Sequence, residues 1–528
     1  MPFDWTFPYP SQRMPVLAHN VVATSQPLAS WAGLSMLMQG GNALDAALAA
    51  AITLTVVEPC SNGIGSDAFA LVWDGKQLHG LNGSGRAPRA WAPERFAGLN
   101  AMPAFGWDSV TVPGAVDAWQ TLSARFGRLP FAALFEPAIH YAHDGFLVSP
   151  IIADAWAHAP QIERDFPEFA ATFLPAGRAP RPGELFRNPD LAATLEGVAE
   201  THGASLYRGA LAERIVAHAA AGGGALTADD LAAHHAEWVT PLAQDYRGVR
   251  LHEIPPNGQG LAALIALGIL RHFDLAGDPV DSAESIHLQV EAMKIAFAEA
   301  HRHIADPASM QLPPEALLDD GYLAARALEI RRDRASQPVW RLPTDHGTVY
   351  LTAADADGMM VSFIQSNFRG FGSGIVVPGT GISLQNRGSG FVLQPGHPNE
   401  VGGGKRPYHT IIPGFVTRDG KPLLSFGVMG GHMQPQGHVQ MLVRLCDYAQ
   451  NPQAAVDAPR WHVREDFQLL LEQGISARVR EELARRGHQL AGKGNPGAFG
   501  GAQLIYRLDN NGYCAASDPR KDGLALGY

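Results

Sequence analysis

Asp345-His346-Gly347-Thr348-Val349-Tyr350-Leu351-Thr352 is the stretch on which the fold of this chain turns. A small residue, a hydroxyl residue and then a β-branched apolar run is what a self-cleaving precursor needs at its cut. Breaking the bond between Gly347 and Thr348 would give Thr348 a free α-amino group, placing nucleophile and base in one residue. Gly-Thr ahead of a strand is also a common junction, so the surroundings matter. Upstream, residues 332–346, with Arg332, Asp333, Arg334, Gln337, Pro338 and Pro343, are polar and irregular. A linker of that kind would let two new ends separate.

The character of the chain changes at Thr348. Before it, residues 15–25 alternate weakly as a strand would, residues 27–57 carry apolar residues at helical spacing, and Ala68–Trp73 reads as a strand closed by Asp74-Gly75. From about 115 to 335 the pattern is mostly helical, with clear examples at 191–201, 211–221 and 282–302, and a Pro/Arg/Gly-rich loop covers 174–184. After it, strand-like runs at 348–353, 359–365, 374–377, 380–385, 410–417 and 422–428 alternate with Gly-rich turns. Helices follow at 433–450 and 475–487, and a strand at 502–507. Strands flanked by helices predict an α+β fold with a mainly antiparallel sheet.

The 528 residues exceed the usual single-core limit, which predicts two to four domains. With 46% hydrophobic and 17% charged residues the composition is globular. The net charge of −11 and the lack of any long basic run argue against a nucleic-acid partner. Cys60, Cys446 and Cys514 are too few and too scattered for a disulfide framework, and read as reduced thiols. The N-terminal run has no basic segment leading into an apolar one. The longest apolar stretch, Ala46 to Val57, is too short to span a bilayer. A cytoplasmic protein without membrane contact is expected.

Among the 21 histidines, His234-His235 and His301/His303 near Asp306 form no metal-binding pattern, and no metal or other cofactor is expected. Gly370-Phe371-Gly372-Ser373-Gly374 lies between strands rather than opening a helix, and Gly404-Lys405-Arg406 lacks the hydroxyl residue of a phosphate loop. Gly83-Ser84-Gly85 and Gly388-Ser389-Gly390 are not nucleophile elbows. What remains is acyl transfer at Thr348, which needs an oxyanion hole and a substrate clamp. Gly430-Gly431, after an apolar strand, could aim N–H groups at a ligand or be a plain strand-to-helix turn. Arg86 could clamp a carboxylate or be solvated surface.

Several short segments now fall into one order. They are Gln39-Gly40-Gly41-Asn42-Ala43-Leu44-Asp45, Val57-Glu58-Pro59 with Gly63-Ile64-Gly65, and Val112-Pro113-Gly114. Asp144-Gly145-Phe146, Pro255-Pro256 with Gly258 and Gly260, and Glu291-Ala292-Met293-Lys294 follow. Then come Gly372-Ser373-Gly374, Gly404-Lys405-Arg406-Pro407, Gly430-Gly431, Ala458-Pro459-Arg460 and Asp518-Pro519-Arg520. In this order the chain, from about residue 16 onward, resembles the γ-glutamyltransferase family of N-terminal nucleophile hydrolases.

The resemblance implies a four-layer αββα sandwich built by a self-cleaving precursor. Residues 1–347 would form a large subunit and 348–528 a small one, the two sharing one core as a heterodimer and leaving open a further pairing. It places autocleavage at Gly347-Thr348, the nucleophile at Thr348, the oxyanion donors at Gly430 and Gly431, and an orienting hydroxyl at Ser366. Arg86, Arg387, His409, Thr410 and Asn367 make up the implied substrate side.

Glutamyl-transferring members hold the substrate ammonium group with an acidic residue and a Gln or Asn, where this chain has Arg387 and Gly390. Their serine pair is replaced by His409-Thr410. A cation and a glycine cannot bind ammonium, so the pocket is expected to take an anion. The pattern resembles the amidohydrolase branch that includes oxamate amidohydrolase and the cephalosporin acylases, with a small-molecule amide as partner. The alternatives are a γ-glutamyltransferase or glutathione hydrolase, a cephalosporin acylase, and an uncleaved scaffold without activity.

Overall fold

In the Gly347–Ala354 strand every residue is buried, so both of its faces are covered. Side chains alternate along a strand. Val349, Leu351 and Ala353 accordingly join one apolar cluster, while Tyr350 and Ala354 join another. The first lies against the Ala43–Val57 helix, whose 15 residues are all buried and whose many alanines permit close approach. The second fills the space between two sheets.

The computed structural model describes residues 11–158, 165–336, 347–464, 466–492, 494 and 496–528. Two seven-stranded sheets stack face to face. In chain-neighbour order one contains Leu524–Gly527, Val21–Thr24, Gly347–Ala354, Met360–Phe368, Asp67–Trp73, Leu78–Gly83 and Glu237–Val239. The other contains Val16–Ala18, Tyr513–Ser517, Gly501–Arg507, Lys421–Met429, Gly414–Arg418, Val249–Glu253 and Leu242–Tyr246. Every pairing within them is antiparallel. Helices Pro27–Met38, Ala43–Val57 and Ala115–Phe126 cover one outer face. Helices Gly260–Leu270, Ala283–His303 and Met433–Cys446 cover the other. The result is an αββα sandwich, as expected.

The helices at Pro189–Glu200, Ala210–Ala221 and Ala283–His303 lie where their apolar spacing predicts them. The expected single strand over 15–25 is instead two strands, Val16–Ala18 and Val21–Thr24, which enter opposite sheets. The expectation of a helical middle misses the strands between Glu237 and Glu253, where Val249 and Leu251 are buried and Arg250 is exposed. The two to four domains suggested by length are replaced by one two-sheet core, because each sheet takes strands from both sides of Gly347-Thr348. Of the expected 332–346 linker, residues 337–346 lie outside the described residues.

Several motifs that carried the family resemblance turn out to be structural. Asn42 and Asp45 form the capping box of the Ala43–Val57 helix. Arg460 Nη2 meets Asp518 Oδ2 at 2.6 Å, with both side chains fully buried. Among the described residues no helix is long and apolar enough to cross a membrane.

Candidate active site

Gly347 pairs with Phe368 and Val349 with Gln365, so Ser366 and Asn367 of the Met360–Phe368 strand together oppose Thr348 in a bulge. A bulge bends the strand and re-aims a side chain. The Thr348 Oγ1 lies 2.7 Å from the Gly347 carbonyl oxygen and 3.2 Å from the Ser366 hydroxyl. The Ser366 hydroxyl donates to that same carbonyl at 2.5 Å and accepts the Phe368 N–H at 2.7 Å. A proton path thus runs from Thr348 through Ser366 to the carbonyl of Gly347. A Cβ on Gly347 would stand 2.7 Å from the backbone nitrogen of Gly370, so only glycine fits there. Phe368 has φ of 78°, a left-handed conformation that costs a non-glycine residue energy and tends to cluster at functional sites.

The opposite sheet supplies the glycine pair. The Gly427 backbone packs against the Tyr350 ring, and Thr352 Oγ1 meets Ser425 Oγ at 2.6 Å. The strand that makes these contacts ends at Met429, next to Gly430-Gly431. Those glycines have φ of 113° and 55°, and they turn the strand end into the Met433–Cys446 helix. Gln259 holds them in place, with its Nε2 donating to the carbonyls of Gly431 at 2.8 Å and Thr410 at 2.5 Å.

Next to this lies a buried polar group. Asp67 sits directly across the ladder from Ser366. Its Oδ1 accepts the Gly85 N–H at 3.1 Å, and its Oδ2 is 3.1 Å from His409 Nε2 and 4.0 Å from Arg387 Nε. Arg387 Nη1 donates to Thr410 Oγ1 at 2.8 Å, and the guanidinium lies over the Phe368 ring at 4.3 Å. Asp67, Arg387 and His409 are each 0% exposed. The Nε and Nη2 of Arg387 have no hydrogen-bond partner. Leaving buried N–H groups of a cation unpaired is expensive.

Burial sets the charge states. It pushes Asp67 up to about 7, against the opposing pull of Arg387, the Gly85 and Gly114 amides and Arg406. It pushes His409 well below its ordinary value, helped by Arg387 and Arg406, so the imidazole is neutral at neutral pH. It brings Arg387 down to about 9 although Asp67 favours the cation, and Arg387 remains charged at neutral pH.

Residues 29–528 match the sequence profile of the family described as gamma-glutamyltranspeptidase. The chain belongs to that family. Over 96% of its length the gamma-glutamyltranspeptidase family chain is 38% identical to the Glutathione hydrolase-like YwrD proenzyme of Bacillus subtilis, covering 98% of that protein. It is 36% identical to the Oxamate amidohydrolase proenzyme of Klebsiella pneumoniae, with 97% and 99% covered. Cephalosporin acylase from Bacillus halodurans superposes with a TM-score of 0.95 at 48% identity, with 100% and 99% covered. As a member of the gamma-glutamyltranspeptidase family the protein is an enzyme, a hydrolase.

Of the site residues read from the sequence of this gamma-glutamyltranspeptidase family member, the fold brings Gly347, Thr348 and Ser366 together. Arg387, His409 and Thr410 form a second group, to which Gln259 ties Gly431. Arg86 departs from expectation. Its Nη2 pairs with Glu237 at 3.1 Å, and its Nη1 with Asp306 at 3.1 Å and the Gly404 carbonyl at 3.0 Å. Its loop touches the site through the Gly85 amide, and these partners hold the Arg86 side chain. Asn367 accepts from Ser66 Oγ at 2.8 Å and its N–H donates to the Ser61 carbonyl, which ties strand to loop.

Sequence reasoning missed Asp67, Gln259 and Phe368. Asp67 carried a usable signal, since a carboxylate opening the apolar Asp67–Trp73 strand needs a partner. Histidines also gather where none were expected to. His287, Glu291 and His488 place ligand atoms within 4.8 Å of one another, but the Lys294 ammonium meets Glu291 at 2.7 Å and already supplies the positive charge.

Proposed function

We propose that the chain is a self-cleaving N-terminal threonine amidohydrolase that opens the amide of a small anionic substrate such as oxamate. The observation that carries the anion preference is the unpartnered edge of Arg387, buried beside His409 and Thr410.

In the precursor, Thr348 Oγ1 attacks the Gly347 carbonyl carbon. Its proton passes to Ser366, whose own O–H supports the carbonyl oxygen as negative charge develops there. The C–N bond breaks, the Thr348 nitrogen takes the proton, and an ester joins Gly347 to Thr348 Oγ1. Water hydrolyses that ester, giving chains 1–347 and 348–528. Strands from both build each sheet, so the chains stay together as a heterodimer. In turnover the freed Thr348 amine takes the proton as Oγ1 attacks the substrate amide. The Gly430 and Gly431 amides receive the oxyanion, the amine leaves protonated, and water releases the acid. A carboxylate next to the scissile carbonyl is met by Arg387 Nε and Nη2 through two parallel hydrogen bonds.

Ser366→Ala removes the donor on the Gly347 carbonyl, and self-cleavage slows about 10²-fold, followed as loss of the full-length band on a denaturing gel. Cleavage at the wild-type rate would exclude the relay. Substrate preference is tested by incubating the cleaved enzyme with oxamate and with γ-glutamyl-p-nitroanilide. Turnover of oxamate is expected, and turnover of the glutamyl compound alone would overturn the anion assignment.

One observation favours a second substrate class, that of the glutathione hydrolase-like relative. Asp67 supplies, 4.0 Å from Arg387, the buried carboxylate that the sequence-based expectation found missing for an ammonium group.

A further inference from the structure

We infer that Asp67 is the specificity-determining residue of the Arg387 site: ionised, it reserves a place for a substrate ammonium group, and neutral, it leaves Arg387 to a substrate bearing a carboxylate alone. The inference rests on the proposed role of Arg387 as the substrate's carboxylate partner.

The geometry sets up the competition. Asp67 Oδ2 stands 4.0 Å from Arg387 Nε, too far for a direct hydrogen bond yet close enough for strong attraction in a buried place. The two open N–H groups of Arg387 therefore lie next to a carboxylate. A carboxylate has about four acceptor positions, and three are engaged, by the Gly85 and Gly114 amides and His409 Nε2. An amino-acid head group would place its carboxylate on Arg387 and its ammonium on Asp67, so each buried charge gains a partner. An anion without an ammonium would set two negative groups against one guanidinium.

Two carboxylates sharing one cation in a buried site cannot both stay ionised at low cost. Asp67 then takes up a proton as the anion binds, and its O–H becomes a donor to the substrate. The surrounding charges leave that proton available near neutrality. The ionisable groups facing Asp67 are Arg387, the neutral His409, Arg406 and Tyr207. Arg406 is itself paired with Glu237 at 2.8 Å, and the Tyr207 hydroxyl is pushed well above its ordinary value by burial. Arg387, brought down to about 9, begins to lose its proton toward pH 8.5, but both substrates place a carboxylate on it, so that loss is common to the two.

The sign follows from linkage. Asp67, raised to about 7, is neutral below that pH and ionised above it. An anion that requires neutral Asp67 loses affinity about tenfold per pH unit above 7, whereas a zwitterion that requires ionised Asp67 loses it below 7. The ratio of kcat/KM for oxamate to that for γ-glutamyl-p-nitroanilide therefore falls about tenfold per unit from pH 6 to 8.5. Taking the ratio cancels any titration common to both substrates, including that of the Thr348 amine.

The experiment measures this ratio on the self-cleaved wild-type enzyme, on Asp67→Asn and on Arg387→Lys. In Asp67→Asn the ratio is expected to be flat across this range, with the KM for oxamate at pH 8.5 at least tenfold below that of wild type. A ratio that stays flat in wild type overturns the inference even if the variant fails to fold or cleave. A slope that persists in Asp67→Asn, or an equal loss on both substrates, also overturns it. If Arg387→Lys leaves KM for both substrates unchanged, the carboxylate role of Arg387 has failed instead. If it raises both while Asp67→Asn does not separate them, only the role of Asp67 has failed.

Discussion

Thr348→Ala is expected to run as a single full-length chain on a denaturing gel, where the wild type gives two bands. Alanine has no oxygen to attack the Gly347 carbonyl, and water held among fully buried groups is no substitute. The same substitution removes the proposed nucleophile of turnover, so amidase activity is expected to fall by on the order of 10⁶ or below detection. N-terminal sequencing of the smaller wild-type fragment should read Thr-Val-Tyr-Leu. Thr348→Ser keeps the oxygen without the methyl group that stiffens the side chain, and should still cleave, more slowly. A processed Thr348→Ala chain would remove the nucleophile assignment altogether.

Arg387→Lys carries the second large effect. Lysine keeps the charge but loses the planar pair of N–H groups that meets a carboxylate in two places. It also leaves the Thr410 hydroxyl without its donor at 2.8 Å. A buried, hydrogen-bonded charge contact of this type is worth about 2–4 kcal/mol. For oxamate, kcat/KM should thus drop between about 30-fold and 10³-fold, mostly through KM. Self-cleavage should proceed normally, since the Thr348–Ser366–Gly347 relay makes no use of Arg387. A change in kcat/KM below threefold would rule out Arg387 as the clamp, and a loss of self-cleavage would mean that the substitution disturbs the fold.

Much of the scaffold was legible because local patterns carry it. The Gly347–Ala354 and Lys421–Met429 strands and the helices after Ser282 and Ser476 have apolar periods and caps that need no partner to be recognised. The strands from Glu237 to Glu253 were hidden because alternation over three to five residues resembles a helix fragment. The pairing of Arg460 with Asp518 and of Thr352 with Ser425 could not be read at all, since nothing in a sequence ties residues so far apart.

The sequence by itself determined the family, because the order of its short motifs carries the resemblance without any contact being known. Through that resemblance it points to the proposed nucleophile at Thr348 and the proposed oxyanion donors at Gly430-Gly431. Tertiary structure decided how the proposed pocket is assembled. It paired Arg86 with Glu237 and Asp306, and it brought Asp67, His409 and Arg387 from three distant segments into one buried group. The physical reason is that a substrate site is defined by which charges burial leaves unpaired. That depends on distances across the fold, which local sequence does not encode.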